Sequence, residues 1–274
     1  MAILDKSSNY FKTVLYSGNG GTQNITSLDF QPDLVWLKKR NGGTYHNLAN
    51  SISGTGKVLY PNGNNAEASK TTIVTAFNSN GFSLGTEGDI NGSGGTFVSW
   101  SWKAGGSASS NSNGSITTSI SANQDSGFSM VSYTGNNSNG ATIGHGLGAA
   151  PKMVIIKKKS DTAQWAVGGT NIDSTFNGYM FLDSSGSIAT SDNVFNDTAP
   201  SSSVVTLGTT GDSNSNGQTY IAFCFAEKQQ FSKMGSYVGN GNSSTPTFVY
   251  TGFKPSLVIT KPSSASDGWT LSDI

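Results

Sequence analysis

The chain carries at Phe30–Arg40 the stretch "FQPDLVWLKKR", in which a proline precedes an apolar run that ends in lysines. The same order returns in "GAAPKMVIIKKKSD" around Pro151 and in "GFKPSLVITKPSS" around Pro255. Proline lacks the N–H that a sheet ladder requires, so each proline predicts the entrance of a strand. The run Leu34–Leu37 is apolar on both strand faces, which predicts a central strand. The lysines that follow predict the point where this strand reaches solvent.

Other landmarks recur at matched distances from these prolines. The residue fourteen positions after the proline is His46, Trp165 or Trp269. Two stretches that we call the closing segments, "LGTEGDINGSGGTFVSWSW" (Leu84–Trp102) and "LGTTGDSNSNGQTYIAFCF" (Leu207–Phe225), align without a gap. Recurrence of several landmarks together predicts tandem modules. Each module opens with an aromatic strand that ends in Tyr and Gly-Asn: Tyr16, Gly18 and Asn19; Tyr133, Gly135 and Asn136; or Tyr237, Gly239 and Asn240.

These landmarks predict how the chain is divided. Residues 1–10 form an N-terminal segment, 11–102 the first module, 128–225 the second and 226–274 the start of a third. Residues 103–127 are rich in Gly, Ser and Asn and predict a linker that encloses one candidate strand, Ser115–Ala122. The third module stops nineteen residues past its proline. We expect the parent polypeptide to continue; the alternative is that another chain supplies the missing strands.

The spacing of apolar segments predicts the fold class. Segments of four to eight residues, rich in Val, Ile, Thr and aromatic residues, alternate with Gly, Asn and Ser turns. Only residues 65–77 offer an ambiguous amphipathic helix. In "TFVSWSW" one face carries large side chains and the other mostly small ones, as in a strand within a sandwich. We predict an all-β protein of tandem, jelly-roll-like β-sandwich modules, two complete and a third partial.

Composition narrows the classes of partner. Lys plus Arg and Asp plus Glu both total 16, so the formal charge is zero, which argues against capture of nucleic acid. Cys224 stands alone, so we expect a buried small side chain rather than a disulfide or a cysteine metal site. The first residues lack a secretory signal, and no window approaches the length of a membrane span. We expect neither signal-directed export nor membrane insertion.

The sequence contains few of the residue combinations that catalytic sites require. Glycoside hydrolysis needs a carboxylate pair, but the sequence has only three glutamates, all in turn-like positions or after a strand. No G-x-S-x-G elbow is present, and the two histidines, His46 and His145, lie at non-equivalent module positions. We expect His145 to bond nearby backbone in a turn. The sequence therefore predicts a protein that is not an enzyme.

The closing segments contain weak candidates for calcium ligands. Asp89 and Asn91 in "DINGSG" correspond to Asp212 and Asn214 in "DSNSNG", with oxygen-bearing side chains at alternate positions before a glycine. Both loops lack a closing glutamate and supply one carboxylate each. The alternative is a hairpin connection in which Asp and Asn side chains bond local backbone, and we favour it. No cofactor is predicted, with calcium left open.

Recurrent aromatic residues are the candidates for a ligand surface. Tyr45, Trp165 and Trp269 lie at nearly one module position and could stack on sugars. Core packing explains the recurrence equally well, because repeated modules repeat their cores, and we favour it.

Three stretches carry a resemblance to a known family. They are "NITSLDFQPDLVWLKKRNG", "SNGFSLGTEGDINGSGGTFVSWSWKAGG" and "SGFSMVSYTGNNSNGATIGHGLGAAPKMVIIKKKS". They resemble the uncharacterised β-rich repeat domains of marine bacteriophage virion proteins, often labelled tail-fibre-like. The resemblance runs from Tyr10 to Ile274 and brings no catalytic residues with it. It implies a place on the virion, oligomerisation, and a role in structure or host contact.

Together these features predict a non-enzymatic bacteriophage virion structural protein, a tail or capsid-attached fibre or decoration. It would assemble in the host cytoplasm and lie on the outer surface of the particle. We expect as partners other copies of the chain, arranged as a homotrimer that protects sheet edges, other virion proteins, and a host surface glycan. The alternatives are a glycan-binding adhesin and a polysaccharide depolymerase.

Overall fold

The computed structural model describes residue 4 and residues 6–273. These residues form 21 strands, a 3-10 turn at Ser7–Asn9 and two four-residue helices, so the predicted all-β fold is confirmed. The helices are α1 (Gly88–Asn91) and α2 (Asp192–Phe195). The strands are β1 (Phe11–Ser17), β2 (Gln23–Ile25), β3 (Leu34–Lys39), β4 (Asn47–Asn50), β5 (Lys57–Val58), β6 (Ala68–Ser69), β7 (Val74–Asn78), β8 (Gly81–Leu84), β9 (Thr96–Trp102), β10 (Ser109–Asn111), β11 (Thr118–Asn123), β12 (Phe128–Thr134), β13 (Ala141–Gly144), β14 (Met153–Lys158), β15 (Ala166–Gly169), β16 (Gly178–Phe181), β17 (Ala189–Thr190), β18 (Val204–Leu207), β19 (Thr219–Phe225), β20 (Leu257–Thr260) and β21 (Thr270–Asp273).

The strands form several antiparallel sheets. The two largest have the orders β1-β9-β3-β4 and β10-β11-β12-β19-β14-β15-β16-β17. A three-stranded sheet, β2-β8-β7, accompanies the first, and the pair β13-β18 accompanies the second. In both large sheets a strand of a closing segment, β9 or β19, lies between the opening strand and the proline-led strand. This arrangement fits the predicted sandwich-type fold, while the number and bounds of the modules stay a prediction.

The proline-led strand of the first sheet is central, as its apolar run predicts. On one side Leu34 pairs with Trp102 of β9, and on the other it pairs with Asn50 of β4. All four residues of Leu34–Leu37 are buried. The strand therefore has a neighbour on each edge and packing on both faces.

Three hairpins share one register: β3-β4, β14-β15 and β20-β21. In each, the second residue after the proline pairs with the eighteenth. The third hairpin differs in exposure, because β20 is only partly buried whereas β3 and β14 are largely buried. The end pairs are Leu34 with Asn50, Met153 with Gly169 and Leu257 with Asp273.

Lys38 and Lys39, expected where β3 reaches solvent, are partly exposed, whereas the corresponding lysines of β14 are buried. Lys157 is 0% exposed and Lys158 is 8% exposed. A buried ammonium is tolerated when its N–H groups find acceptors, and Lys157 finds two backbone carbonyls. These lysines are part of the packed interior.

The segment predicted as a linker is part of a sheet. Residues 103–127 contain β10 and β11, and β11 pairs with β12, so the segment extends the eight-stranded sheet. The strand predicted at Ser115–Ala122 is found at Thr118–Asn123. Ile116 and Ile120 are buried in the neighbouring core, which explains why this polar stretch is held in place. The ambiguous stretch 65–77 contains β6 and the start of β7 rather than a helix.

Three apolar clusters hold the sheets together, and one of them joins all three hairpins. This central cluster contains Trp36 and Trp100 of the first sheet and Trp165 and Phe223 of the second. Trp269 of the third hairpin packs against it. The hairpins therefore meet around a common apolar core.

Candidate functional site

The junction between the hairpins holds a repeated indole contact. Trp165 is fully buried, and its Nε1 donates to the carbonyl oxygens of Tyr60 (2.9 Å) and Gly63 (3.0 Å). Trp269 Nε1 donates to the carbonyl oxygen of Phe181 (2.9 Å). In both cases the tryptophan fourteen residues after a proline reaches the segment that follows the preceding hairpin, at the turn after β5 for Trp165 and at the last residue of β16 for Trp269.

The lysine six residues after the proline makes a parallel contact. Lys157 Nζ donates to the carbonyl oxygens of Asn64 (3.1 Å), between β5 and β6, and of Ala163 (2.6 Å). Lys261 Nζ donates to the carbonyl oxygen of Ser185 (3.1 Å), between β16 and β17. Each lysine thus binds the same loop as the tryptophan of its own hairpin.

A backbone hydrogen bond completes the set. Glu67 N donates to Lys159 O (2.9 Å), and Ile188 N donates to Ser263 O (3.1 Å). Here the loop of the earlier hairpin donates and the later hairpin accepts. We call the indole, ammonium and backbone contacts together the interlock; it occurs twice, each time between one hairpin and the loop after the preceding one.

Two carboxyl groups lie near the first interlock. Asp183 Oδ1 accepts from Trp165 N (3.0 Å), and Asp212 Oδ1 accepts from Gln164 N (3.0 Å). Burial raises the pKa of both carboxyls. Burial also lowers the pKa of Lys157 to about 8, and the charges of Asp183 and Asp212 oppose that shift. The Lys157 side chain is therefore mainly an ammonium at pH 7, and it lies near these two carboxyl groups.

A cavity of about 270 Å³ opens between the first hairpin, the third hairpin and the residues that follow β16. Trp36, His46, Asp183 and Trp269 are among the residues that line it. His46 stands where the other hairpins carry tryptophan. Its Nδ1 accepts from Trp36 Nε1 (2.9 Å), and its N donates to Asn62 Oδ1 (2.9 Å). The cavity thus combines indole faces with polar groups held in fixed orientations.

His46 should make the stability of the protein depend on pH. Burial, with the charge of Lys38, lowers its pKa to about 4 from 6.5. Between these values the unfolded chain binds a proton that the folded chain does not, so stability is lost as pH falls from 6.5 towards 4. We expect His46 to account for up to about 3 kcal/mol of that loss.

The matched variant is His46→Gln, whose side chain can still accept from Trp36 but does not titrate. Urea unfolding of both chains at several pH values isolates the His46 contribution, since His145, Asp183 and Asp212 titrate alike in both. Identical pH slopes in the two chains would contradict the assignment.

The three candidates for sugar stacking do not form one surface. Tyr45 is 50% exposed and packs on Tyr60 with ring centroids 5.3 Å apart. Trp165 is 0% exposed and its N–H is occupied, so it offers no face to a ligand. Trp269 is partly buried and lines the cavity. Of the three, only Trp269 remains placed for contact with a ligand there.

The first calcium candidate is a buried hydrogen-bonded side chain. Asn91 is 0% exposed. Its Nδ2 donates to the carbonyl oxygens of Gly85 (2.9 Å) and Gly21 (2.7 Å) and to Asn19 Oδ1 (3.1 Å), while its Oδ1 accepts from Asn19 N (3.1 Å). Asp89 is partly exposed beside it. Asn91 ties the loop of the closing segment to the turn after β1.

Asn214 repeats this arrangement in the second sheet. Its Nδ2 donates to the carbonyl oxygens of Gly208 (2.9 Å) and Ser138 (3.0 Å), and its Oδ1 accepts from Asn136 N (2.9 Å). We call Asn91 and Asn214 the asparagine plugs. Asp212 bonds the backbone of Gln164 instead of facing the plug.

We expect millimolar calcium to leave the thermal midpoint unchanged. The amide oxygen of each plug already accepts a part-buried hydrogen bond, and each plug is itself fully buried, so a bound cation would disturb that packing. A thermal melt with calcium, compared with one in chelator, checks this. A rise of several degrees would reinstate the calcium site.

The tyrosines and glycines that open each module contact the backbone beside the asparagine plugs, a role that the sequence did not reveal. Tyr16 Oη donates to Ile90 O and Tyr133 Oη to Ser213 O, both at 2.7 Å. Each acceptor immediately precedes a plug. The recurrence of the Tyr, Gly and Asn pattern together with the closing segments was the available signal for this contact.

Other reactive groups are engaged individually. Burial raises the pKa of Cys224 to about 12. His145 is buried and bonds backbone through both ring nitrogens, as its turn position predicts. Within residue 4 and residues 6–273, no group of three or more His, Cys, Asp or Glu is placed to hold a metal. The glutamates contact separate partners: Glu67 with Ser53, Glu87 with Lys70, and Glu227 with Lys233.

The fold and the contacts at the junction between the hairpins define an all-β protein of antiparallel hairpins held together by the interlock. The chain belongs to the family of the domain of unknown function DUF7483, which matches residues 6–274. No curated protein and no solved structure matches the chain. Among the described helices, none has the length and apolar character needed to cross a membrane.

Proposed function

We propose that the chain is a non-enzymatic structural protein of a bacteriophage virion, a fibre or decoration attached to the tail or capsid. The observation that carries the proposal is the interlock. Burying an ammonium and an indole N–H costs free energy unless both find acceptors. Both find acceptors at the first interlock, where Lys157 and Trp165 are fully buried, and the same two contacts recur at the second, where Lys261 and Trp269 are partly buried. Such use favours a rigid scaffold, and the resemblance of the sequence to virion repeat domains supports its place on a particle.

Electron microscopy of particles labelled with antibodies to the chain tests the proposal. We expect label on the tail or capsid surface, in a fixed position on each particle. Label confined to soluble lysate protein, with bare particles, would contradict a virion role.

The proposed homotrimer has its own test. Light scattering of the purified chain should give three times the chain mass of 28.4 kDa. The reason is that closed symmetry protects exposed sheet edges from open-ended association. A monomer at micromolar concentration would contradict this part of the proposal.

The cavity favours a second candidate, a glycan-binding adhesin. Trp36 and Trp269 supply aromatic faces, while His46 and Asp183 supply polar atoms at the same cavity. Binding to an array of host surface polysaccharides would support this candidate, and no ligand on the array would contradict it. Trp269→Ala should abolish binding. Tyr45→Ala, which alters an exposed aromatic outside the cavity lining, is the matched control.

A further inference from the structure

Among the described residues, one edge of β20 in the third hairpin has no partner strand. Within the described residues β20 pairs only with β21, whereas β3 also pairs with β9 and β14 also pairs with β19. In the first two cases the added strand belongs to a closing segment, and its far edge pairs with the opening strand β1 or β12. The corresponding position in the third module lies between β20 and the chain around Tyr237. We call this position the acceptor slot.

Exposed apolar side chains are concentrated in residues 237–258, which include part of β20. Of the eight exposed large apolar side chains in the described residues, six lie between positions 237 and 258. Tyr237 is 55% exposed, whereas Tyr133 at the same module position is 4% exposed. Exposed apolar patches of this kind mark interaction surfaces. The six are Tyr237, Val238, Phe248, Val249, Tyr250 and Val258.

The glycine of the opening pattern also points to a missing neighbour. A Cβ on Gly18 would lie 2.3 Å from the Gly92 carbonyl oxygen, and one on Gly135 would lie 2.4 Å from the Ser215 carbonyl oxygen. Both carbonyls belong to closing segments. Among the described atoms, a Cβ on Gly239 would meet nothing within 4 Å. Gly239 is therefore the glycine that a closing segment requires, and no described atom lies against it.

The turn that receives an asparagine plug is already formed in the third module. Asn240 Oδ1 accepts from the backbone N–H two residues later, that of Asn242 (3.0 Å). Asn19 and Asn136 accept from Gly21 and Ser138 in the same way. In those two turns the asparagine backbone N–H donates to the plug.

We infer that the acceptor slot is a binding site for a third closing segment, a polypeptide with a Gly-Asp-x-Asn loop followed by a seven-residue strand rich in aromatic residues. Its strand would pair with β20, and its asparagine would bond the turn at Asn240. A second folded copy of this chain cannot supply it without unfolding, because β9 and β19 are paired along both edges. The inference does not depend on the proposed virion role.

The register of the β14-β19 pair identifies which backbone N–H groups of β20 would hydrogen-bond to the added strand. Lys159 N donates to Thr219 O (2.7 Å), so by the alternation of an antiparallel pair the N–H of Ile155 also faces β19. Ile259 holds the position of Ile155 in the third hairpin. Its N–H therefore faces the acceptor slot and is not used in pairing with β21.

A synthetic peptide with the sequence of residues 84–102 and added terminal lysines is the probe. Titration of the fluorescently labelled peptide into the purified chain should give saturable binding, with hydrogen-exchange protection appearing at β20. The Ile259→Pro variant removes the N–H that faces the slot and should weaken binding at least roughly tenfold. Ile259→Val keeps the N–H and is the matched control.

Two further measurements make the result decisive. A peptide with Asn91→Ala should also bind roughly tenfold more weakly, because it lacks the plug. Thermal melts of Ile259→Pro should match those of the parent chain, which separates loss of binding from loss of fold. Absence of saturable binding at roughly 100 μM, or binding indifferent to Ile259→Pro, would overturn the inference. So would a concentration-dependent dimer of the chain that protects residues 237–258.

Discussion

Replacement of Trp165 by alanine should destabilise the protein by about 3–5 kcal/mol, which is the usual cost of removing a large buried aromatic side chain. The indole is fully buried, stacks on Phe223 with ring centroids 6.3 Å apart, and satisfies the carbonyl oxygens of Tyr60 and Gly63. The variant loses this packing and leaves two carbonyl oxygens without their donor. Urea unfolding measures the change, and the thermal midpoint should fall on the order of 10 °C.

Two matched variants separate the contributions. Trp165→Phe keeps an aromatic ring but removes the N–H, so we expect a smaller loss of about 1–3 kcal/mol. Tyr45→Ala alters an aromatic residue that is half exposed and should cost about 1 kcal/mol or less. If Trp165→Ala cost no more than Tyr45→Ala, the buried position of the indole and the interlock would both be contradicted.

The central strand could be predicted because its evidence is local. Leu34–Leu37 shows its two apolar faces within four residues, and the proline before it marks the entrance. The candidate strand inside 103–127 could be predicted for the same reason, because apolar and polar side chains alternate there even though the segment is mostly polar. The composition of this segment does not show that Ile116 and Ile120 are buried in a neighbouring core. The sequence therefore predicts a linker there.

The interlock could not be predicted because its partners are far apart in sequence. Lys157 and Asn64 are separated by 93 residues, and Trp165 and Tyr60 by 105. A lysine at a strand end normally reaches solvent, and backbone carbonyls carry no signature in the sequence. The recurrence of lysine and tryptophan at fixed distances from each proline was visible. Only the structure shows which loop each pair of lysine and tryptophan binds.

The asparagine plugs could be predicted only in part from the sequence. The sequence favoured hairpin connections whose Asp and Asn side chains bond backbone, and Asn91 and Asn214 do bond backbone. Their burial was not predictable, because the second set of acceptors comes from a turn about 70 to 80 residues earlier. Gly85 and Gly208 allow the close approach, since a Cβ there would lie 2.3 and 2.2 Å from backbone atoms of Thr72 and Asn193.

Replacement of a plug by alanine is the second change for which we expect a large effect. Asn214→Ala removes the donors to Gly208 O and Ser138 O and the acceptor of Asn136 N. The bond to Gly208 O is buried and its loss costs about 1–3 kcal/mol, while the part-buried bonds to Ser138 O and Asn136 N add less, so the variant should lose about 2–4 kcal/mol by urea unfolding. Asn91→Ala breaks the corresponding bonds in the first sheet and should lose a similar amount.

Two controls test whether the hydrogen bonds, rather than side-chain volume, produce this loss. Asn216→Ala alters an exposed residue of the same loop and should change stability by about 0.5 kcal/mol or less. Asn214→Asp preserves the shape but places a carboxylate oxygen against the carbonyl oxygens of Gly208 and Ser138. We expect it to be at least as destabilising as alanine at pH 7 and to recover part of the loss at low pH, where the carboxyl gains a donor proton. An Asp variant as stable as the parent chain at pH 7 would contradict the donor role of this side chain.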